Sequence, residues 1–415
     1  MTSGLTSAAL RARVHAAIGE PEVTRPGFEL ATTRPQRRHG LGRGVSTAPA
    51  PVRALALVGV VVALAAVLTV AAVLHLHTLP KPAGSSSGPA GQTVGPGSPI
   101  ASPLVVGFVP RDVTAVSADQ WWVLGYDGAP CSGSGCIRIL QTVNDGQTFT
   151  PITTPAPGLT GLRFLNAEDG WAYGGGTVWS THDGGAQWSS STLPGVVQEL
   201  ETSGNYVYAI VYDANSLDAW TLERSPATGD DWQQLSLPAG EQPENLNVHG
   251  DDVWITLSSG TGDNQVLTST DDGEHFSSSL ICFGAAGVVS FDAVSPDVLW
   301  ATCAFGTSED VWRSLDGGRT FTAVQSGAYL GPSWGTIAGP SASTAVLAGT
   351  SLQLTVDAGQ GFHAVVNNGD SWSIVGFTTD SDGFAFSYLS TALGTPNGLW
   401  RTVDAGAQWY EVAFP

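Results

Sequence analysis

The sequence predicts an all-β fold, a seven-bladed β-propeller preceded by one transmembrane helix. Three observations predict it. A short pattern, Ser/Thr-x-Asp-x-Gly-x-x-aromatic, recurs seven times, and its closing aromatics fall 39, 44, 44, 45, 41 and 47 residues apart. That period is the length of a four-stranded propeller blade. Upstream of the repeats, residues 54–74 hold no charged side chain, and such a run at ~1.5 Å rise per residue spans roughly 30 Å, the thickness of a bilayer core.

Taken in order, residues 1–53 carry eight arginines against three acids and form a largely unstructured segment. One short helix is expected over 7–19, where Leu10, Val14 and Ile18 share a face between Ser7 and Gly19. The transmembrane helix is assigned to 54–76. Arginines precede it and acids follow it, so the N-terminus is expected in the cytoplasm and the C-terminus outside, at the cell membrane. Residues 77–103 are rich in Pro, Gly and Ser, the composition of a flexible tether. Residues 104–415 form the propeller.

The repeats run Thr142–Phe149, Thr181–Trp188, Ser225–Trp232, Ser269–Phe276, Ser314–Phe321, Thr355–Phe362 and Thr402–Trp409. Their acidic position is Asn144, Asp183, Ala227, Asp271, Asp316, Asp357 and Asp404 in turn, so the first and third copies depart from the pattern. The physics is that of a tight hairpin turn. The Asp accepts hydrogen bonds from backbone N–H groups of its own turn, the glycine adopts positive φ, and the aromatic starts the next strand and packs inward. A device used seven times around a ring is structural. Between the turns, β-branched and aromatic runs mark the second strand of each blade, such as WWVLGY at 121–126 and YVYAIVY at 206–212. First strands are expected at Val113–Ser117 and Leu162–Asn166, and the last strand at 408–414. Ring closure is left open between plain blade packing and an extra strand from 103–109.

These repeats resemble the Asp-box (BNR) repeats of the sialidase-like propeller superfamily. The stretch LRFLNAEDGWAYGGGTVWSTHDGGAQW at 162–188 is especially similar to the photosystem II assembly and stability factor family of bacteria and chloroplasts. That resemblance implies a seven-bladed propeller and an assembly role exercised through a basic surface. Here the sequence departs from the family: Lys81 is the only lysine, and from residue 82 onward seven arginines face 33 acids. The same acidity excludes nucleic acid as a partner. Sialidases, by the same resemblance, need three arginines around a carboxylate and an early Phe-Arg-Ile-Pro signature, and that signature does not occur. A glycoside hydrolase of this superfamily is the alternative reading, because 33 acids supply carboxylate pairs in plenty.

No P-loop, HExxH, nucleophile elbow or dinucleotide fingerprint occurs. No cofactor, metal site or catalytic residue is assigned. Cys131 with Cys136 and Cys282 with Cys303 are expected to form two disulfides, as suits an oxidising compartment. Binding is expected on the loops opposite the repeat turns. Tyr126, Tyr212, Tyr329 and Trp334 are the candidate ligand-binding residues, the last two within a distinctive connection at 325–335. The expected function is that of a membrane-anchored extracytoplasmic module that binds a protein or glycan without catalysis.

Overall fold

The computed structural model describes residues 107–128, 136–213, 219–238, 242–258, 264–305, 308–328, 335–388 and 396–415. The predicted helix at 7–19, the transmembrane span at 54–76 and the tether at 77–103 lie outside them. Among the described residues no helix is long and apolar enough to cross a membrane.

Seven antiparallel sheets of four strands follow one another along the chain, each an uninterrupted meander of strands a, b, c and d. They occupy 109–152, 161–192, 196–235, 242–280, 287–328, 337–366 and 371–411, blades 1 to 7. Each repeat turn joins strands c and d and hydrogen-bonds the a–b turn of its own blade, as Gly184 N–H does to Glu168 O at 2.9 Å. Repeat turns and a–b turns therefore share one face of the ring, the turn face. The b–c loops and the d–a connections between blades share the other, the loop face.

The turn chemistry is built as the pattern implies. In five copies the Ser/Thr hydroxyl donates to the acidic residue, at 2.9 Å for Thr181 to Asp183 and 2.7 Å for Ser269 to Asp271. It also accepts from the glycine N–H, at 2.9 Å in both. The same carboxylate accepts from the N–H of the residue before the aromatic. Asn144 substitutes in blade 1, its Oδ1 accepting from Thr142 and from Thr148 N–H, both at 3.0 Å. In blade 3, where Ala227 replaces the acid, the Ser225 hydroxyl donates instead to Gly229 O at 3.1 Å. Gly359 and Gly406 adopt φ of 87° and 88°, and a Cβ on them would overlap Val324 and Val346 of the preceding blades. The glycine thus serves both the turn and the approach of one blade to the next.

The core lies between blades. At equivalent places in strand b stand Trp122, Trp171, Tyr208, Trp254, Trp300, Val346 and Phe384, all buried. Trp122 stacks on Phe164 of blade 2 with centroids 3.8 Å apart. Each such indole withdraws about 150–250 Å² from water, a gross gain of roughly 4–6 kcal/mol before chain entropy.

Four expectations need correction. The first strand of blade 1 is Val109–Ala115 and that of blade 2 Gly161–Phe164, both ending earlier than expected, because the residues that follow enter the a–b turns, where Val116 N–H bonds Gln120 O and Leu165 N–H bonds Asp169 O. The last strand is only Tyr410–Glu411, after which the chain leaves the sheet and Phe414 packs on Phe108 and Phe149. Strand d of blade 5 runs through Thr322–Ala328, so the connection expected from 325 begins after that strand. The ring closes by packing of blade 7 on blade 1, with blade 1 a complete four-stranded sheet of its own.

Candidate functional site

The inner strands hold the first concentration of chemistry. A bulge sits just before Asp112, Asn245 and Ser290, and such bulges re-aim the side chains that follow. Polar side chains of the inner strands satisfy backbone groups of the next blade. Asp112 accepts from Leu162 N–H at 2.8 Å, Glu199 from Leu246 N–H at 2.9 Å, and Asp292 from Gly339 N–H at 2.9 Å. Asn247 bonds both Phe291 O and Ala293 N–H. Between blades 2 and 3 the link is ionic: Arg163 pairs with Glu201 at 3.0 Å and stands 3.8 Å from Asp112. Burial pushes the Asp112 carboxyl up to about 6, with Arg163 opposing. Burial works against the Arg163 charge, but Glu201 and Asp112 outweigh it and hold the guanidinium protonated. Buried polar groups so paired fix neighbours in register.

The arginines read from the sequence have structural addresses. Arg224 donates to Asp272 O at 2.8 Å and Glu274 at 2.6 Å, across the blade 3/4 seam. Arg313 reaches Ala342 O and Ala358 O across the 5/6 seam. Arg401 pairs with Asp145 across the closing seam and with Asp382 of its own blade at 3.0 Å. Arg319 caps its own turn. Arg138 pairs with Asp127 and Arg111 donates to Tyr126. Arg163, Arg224, Arg313 and Arg401 are thus distributed over four different seams. They do not converge on a common point, as a carboxylate clamp would require.

Among the repeat-turn acids, Asp183 is held below the usual carboxylate range by the Gln187 N–H, and Asp316 by the Thr320 hydroxyl. Asp357 is held low by Thr355, and Asp271 is brought to about 2 by His275. Each carboxylate is tied to its own turn.

The loop face carries the predicted tyrosines. Tyr126 ends strand b of blade 1; its hydroxyl accepts from Arg111 at 2.8 Å, with the guanidinium 5.1 Å from the ring centroid. Tyr212 ends strand b of blade 3 and packs on Trp220, centroids 5.3 Å apart. The two hold the same register position on the same face, but blade 2 stands between them, so they do not form one cluster. Tyr388 holds the matching place in blade 7 and feels the Arg111 charge, burial raising its phenol. Sequence reasoning missed it, although GFAFSYL carries the same end-of-strand tyrosine as WWVLGY. Tyr329 and Trp334 lie outside the described residues.

Beside Arg111, a cleft of about 370 Å³ opens at the closing seam between Phe108, Pro110, Gly398, Glu411, Val412 and Phe414. Of the two expected disulfides, Cys282–Cys303 is formed, with Cα atoms 5.6 Å apart. Cys136 is also disulfide-bonded, while Cys131 lies outside the described residues.

No protein-family model matches the sequence, and no curated protein does. Among solved structures, one described as YCF48 bound to D1 peptide is similar over 73% of this chain and 95% of its own, at 17% identity and a TM-score of 0.52. YCF48 from Cyanidioschyzon merolae is similar over 74% and 97%, at 15% identity and a TM-score of 0.52. A GH74 xyloglucanase from Xanthomonas campestris covers 72% of this chain and 59% of its own, at 13% identity and a TM-score of 0.44. At these identities the YCF48 likeness establishes a shared propeller fold, and function has to be argued from the side chains of this chain.

Proposed function

We propose that this chain is a single-pass membrane protein whose extracytoplasmic propeller, built on Asp-box turns, is a non-catalytic binding or assembly module for a protein or glycan. The observation that carries the reading is the distribution of its charged groups. Arg163, Arg224, Arg313, Arg401 and the inner-strand acids are consumed in holding blade to blade, while the loop face presents tyrosines at the ends of strand b. Rigid aromatic groups on a stiff scaffold are what binding surfaces use. A neighbour of the same fold, YCF48, is described as bound to a peptide, which agrees with that use. The glycoside hydrolase alternative gains nothing from the arginines, which are spread over separate seams.

The test is affinity capture with the full chain from solubilised membranes, comparing wild type with Tyr126→Ala/Tyr212→Ala and Tyr329→Ala/Trp334→Ala. A partner retained by wild type and lost by either double variant supports the module and locates its face. Equal recovery by all three, together with turnover of a glycoside, would replace the reading with the enzymatic one.

A further inference from the structure

The d–a connection from blade 4 to blade 5 contains a turn at 282–285 that is held from several sides. Cys282 is bonded to Cys303 on strand b of blade 5. Ala285 N–H donates to Cys282 O at 2.9 Å. The buried Asn264 side chain donates to both Cys282 O, at 3.3 Å, and Ala285 O, at 3.1 Å. Ile281, Cys282 and Ala285 are buried. Cys282 adopts φ of 56°, a conformation that L side chains resist.

At the tip of this turn Phe283 is 70% exposed, and Leu280, which enters it, is 58% exposed. Among the described residues, the other large apolar side chains with comparable exposure lie elsewhere: Val143, Leu315, Val356 and Val403 on the turn face, and Tyr410 on the outer strand of blade 7. Phe283 belongs to none of the buried clusters that fill the seams. A benzyl group that the core does not use, fixed by a disulfide and a buried amide, has the properties of a preorganised contact. The backbone entropy of the turn is already lost before binding.

The surroundings indicate what it meets. Among the described residues, the partly exposed charged side chains at the loop-face ends of blades 3 to 6 are Asp213, Glu244, Asp310 and Asp370. The arginines of these blades, Arg224, Arg313 and Arg319, are engaged at or beside the turn face. An apolar tip within an acidic field disfavours a second copy of the same surface and an anionic bilayer. It complements a positively charged surface with an apolar recess. We propose that the 280–285 turn is an interaction anchor, with Phe283 and Leu280 seating in an apolar pocket rimmed by Lys or Arg on a protein partner. This deepens the binding-module reading and rests on it.

The test places a photoreactive benzoyl-phenylalanine at position 283 of the full chain in intact cells, with the same group at 410 as the control. The expected result is one protein adduct formed from 283 and not from 410, with Lys and Arg flanking the linked peptide. Binding of that purified protein to the full chain should weaken about 30-fold with Phe283→Ser, the scale of an interface hot spot. It should recover with Phe283→Trp and weaken again in high salt, while the melting temperature of Phe283→Ser stays at the wild-type value. Adducts equal at 283 and 410, an adduct to lipid or to a second copy, or unchanged affinity in Phe283→Ser would each overturn the anchor. Capture of a partner through Tyr126 or Tyr212 with position 283 silent would refute the anchor and leave the module standing.

Discussion

The closing seam between blades 7 and 1 and the interior seam between blades 5 and 6 hold the ring by different means. At the 5/6 seam, inner-strand side chains serve the neighbouring backbone: Asp292 accepts from Gly339 N–H, and Ser290 from Ile337 N–H. Glu309 accepts from Gly335 N–H at 2.9 Å. On blade 7 the inner strand reads Ser371–Phe377, and Gly376 occupies the place that Asp292 holds in blade 5. The closing seam is carried farther out by aromatic groups. Trp121 lies 5.0 Å from Phe384 and 5.3 Å from Phe149, and Phe414 covers Phe108 and Phe149. Arg401 adds its pair with Asp145. At the 5/6 seam the polar bonds set register beside an apolar wedge of Trp300, Ile337 and Leu347. Where no peptide bond crosses, apolar burial supplies the closure, because it contributes more free energy per residue and is less demanding in geometry.

The largest effect is expected from Trp121→Ala, which should remove about 3–5 kcal/mol of stability. Hydrogen exchange should then show blades 1 and 7 opening before the others. Uniform exchange across all seven sheets would mean that the seam is not the weak point. Deleting residues 413–415 should cost about 2–3 kcal/mol, since Phe414 is a half-buried ring covering two others, and denaturant melts would measure it. Arg401→Ala should cost about 1–3 kcal/mol by leaving Asp382 and Asp145 without their partner. Arg313→Ala should cost less, because its carbonyl partners sit in a seam already linked by the chain.

The smallest and most specific difference is in pH dependence. Burial raises Glu309 to about 7, with the Gly335 N–H opposing. The folded value exceeds the ordinary value of 4.5, so the native state binds the proton more tightly than the unfolded chain. The resulting stability is present below about 4.5 and is lost as pH rises through about 7, an effect of up to about 3 kcal/mol. Glu309→Gln should keep the Gly335 bond and flatten that part of the melting curve against pH. An unchanged slope would assign the dependence elsewhere, to Asp112 first.

The fold was legible because each residue of the repeat answers a local need: glycine for φ, hydroxyl and carboxylate for the turn, an aromatic for the wedge. Blade number followed from counting turns. The ends of strands were less legible. Nothing near Tyr410 in sequence announces that Phe414 will leave the sheet, since its partners Phe108 and Phe149 lie on the first blade. The same distance hid the arginines, whose acceptors belong to the following blade. Tyr126 and Tyr212 were chosen for their place at the ends of strand b, a place that Tyr388 also holds. Phe283 was hidden because an exposed phenylalanine and a buried one look alike in sequence. What distinguishes it is the arrangement of Asn264 and Cys303 around its turn.

Each blade is one unbroken stretch of chain, and this bears on where the polypeptide has to begin. A ring that borrows a strand from its far end has one permitted break. Here the topology offers seven, the present opening and the six d–a connections, each a link that could be cut while the old ends are joined. A circular permutant opened between blades 3 and 4, with residue 415 tethered to 107, should fold to the same ring. Its new opening would then depend on Arg224, Glu199 and Ser203, a polar set in place of the aromatic one. Its stability would show how much of the closing seam's apolar character is demanded by the absence of a covalent link.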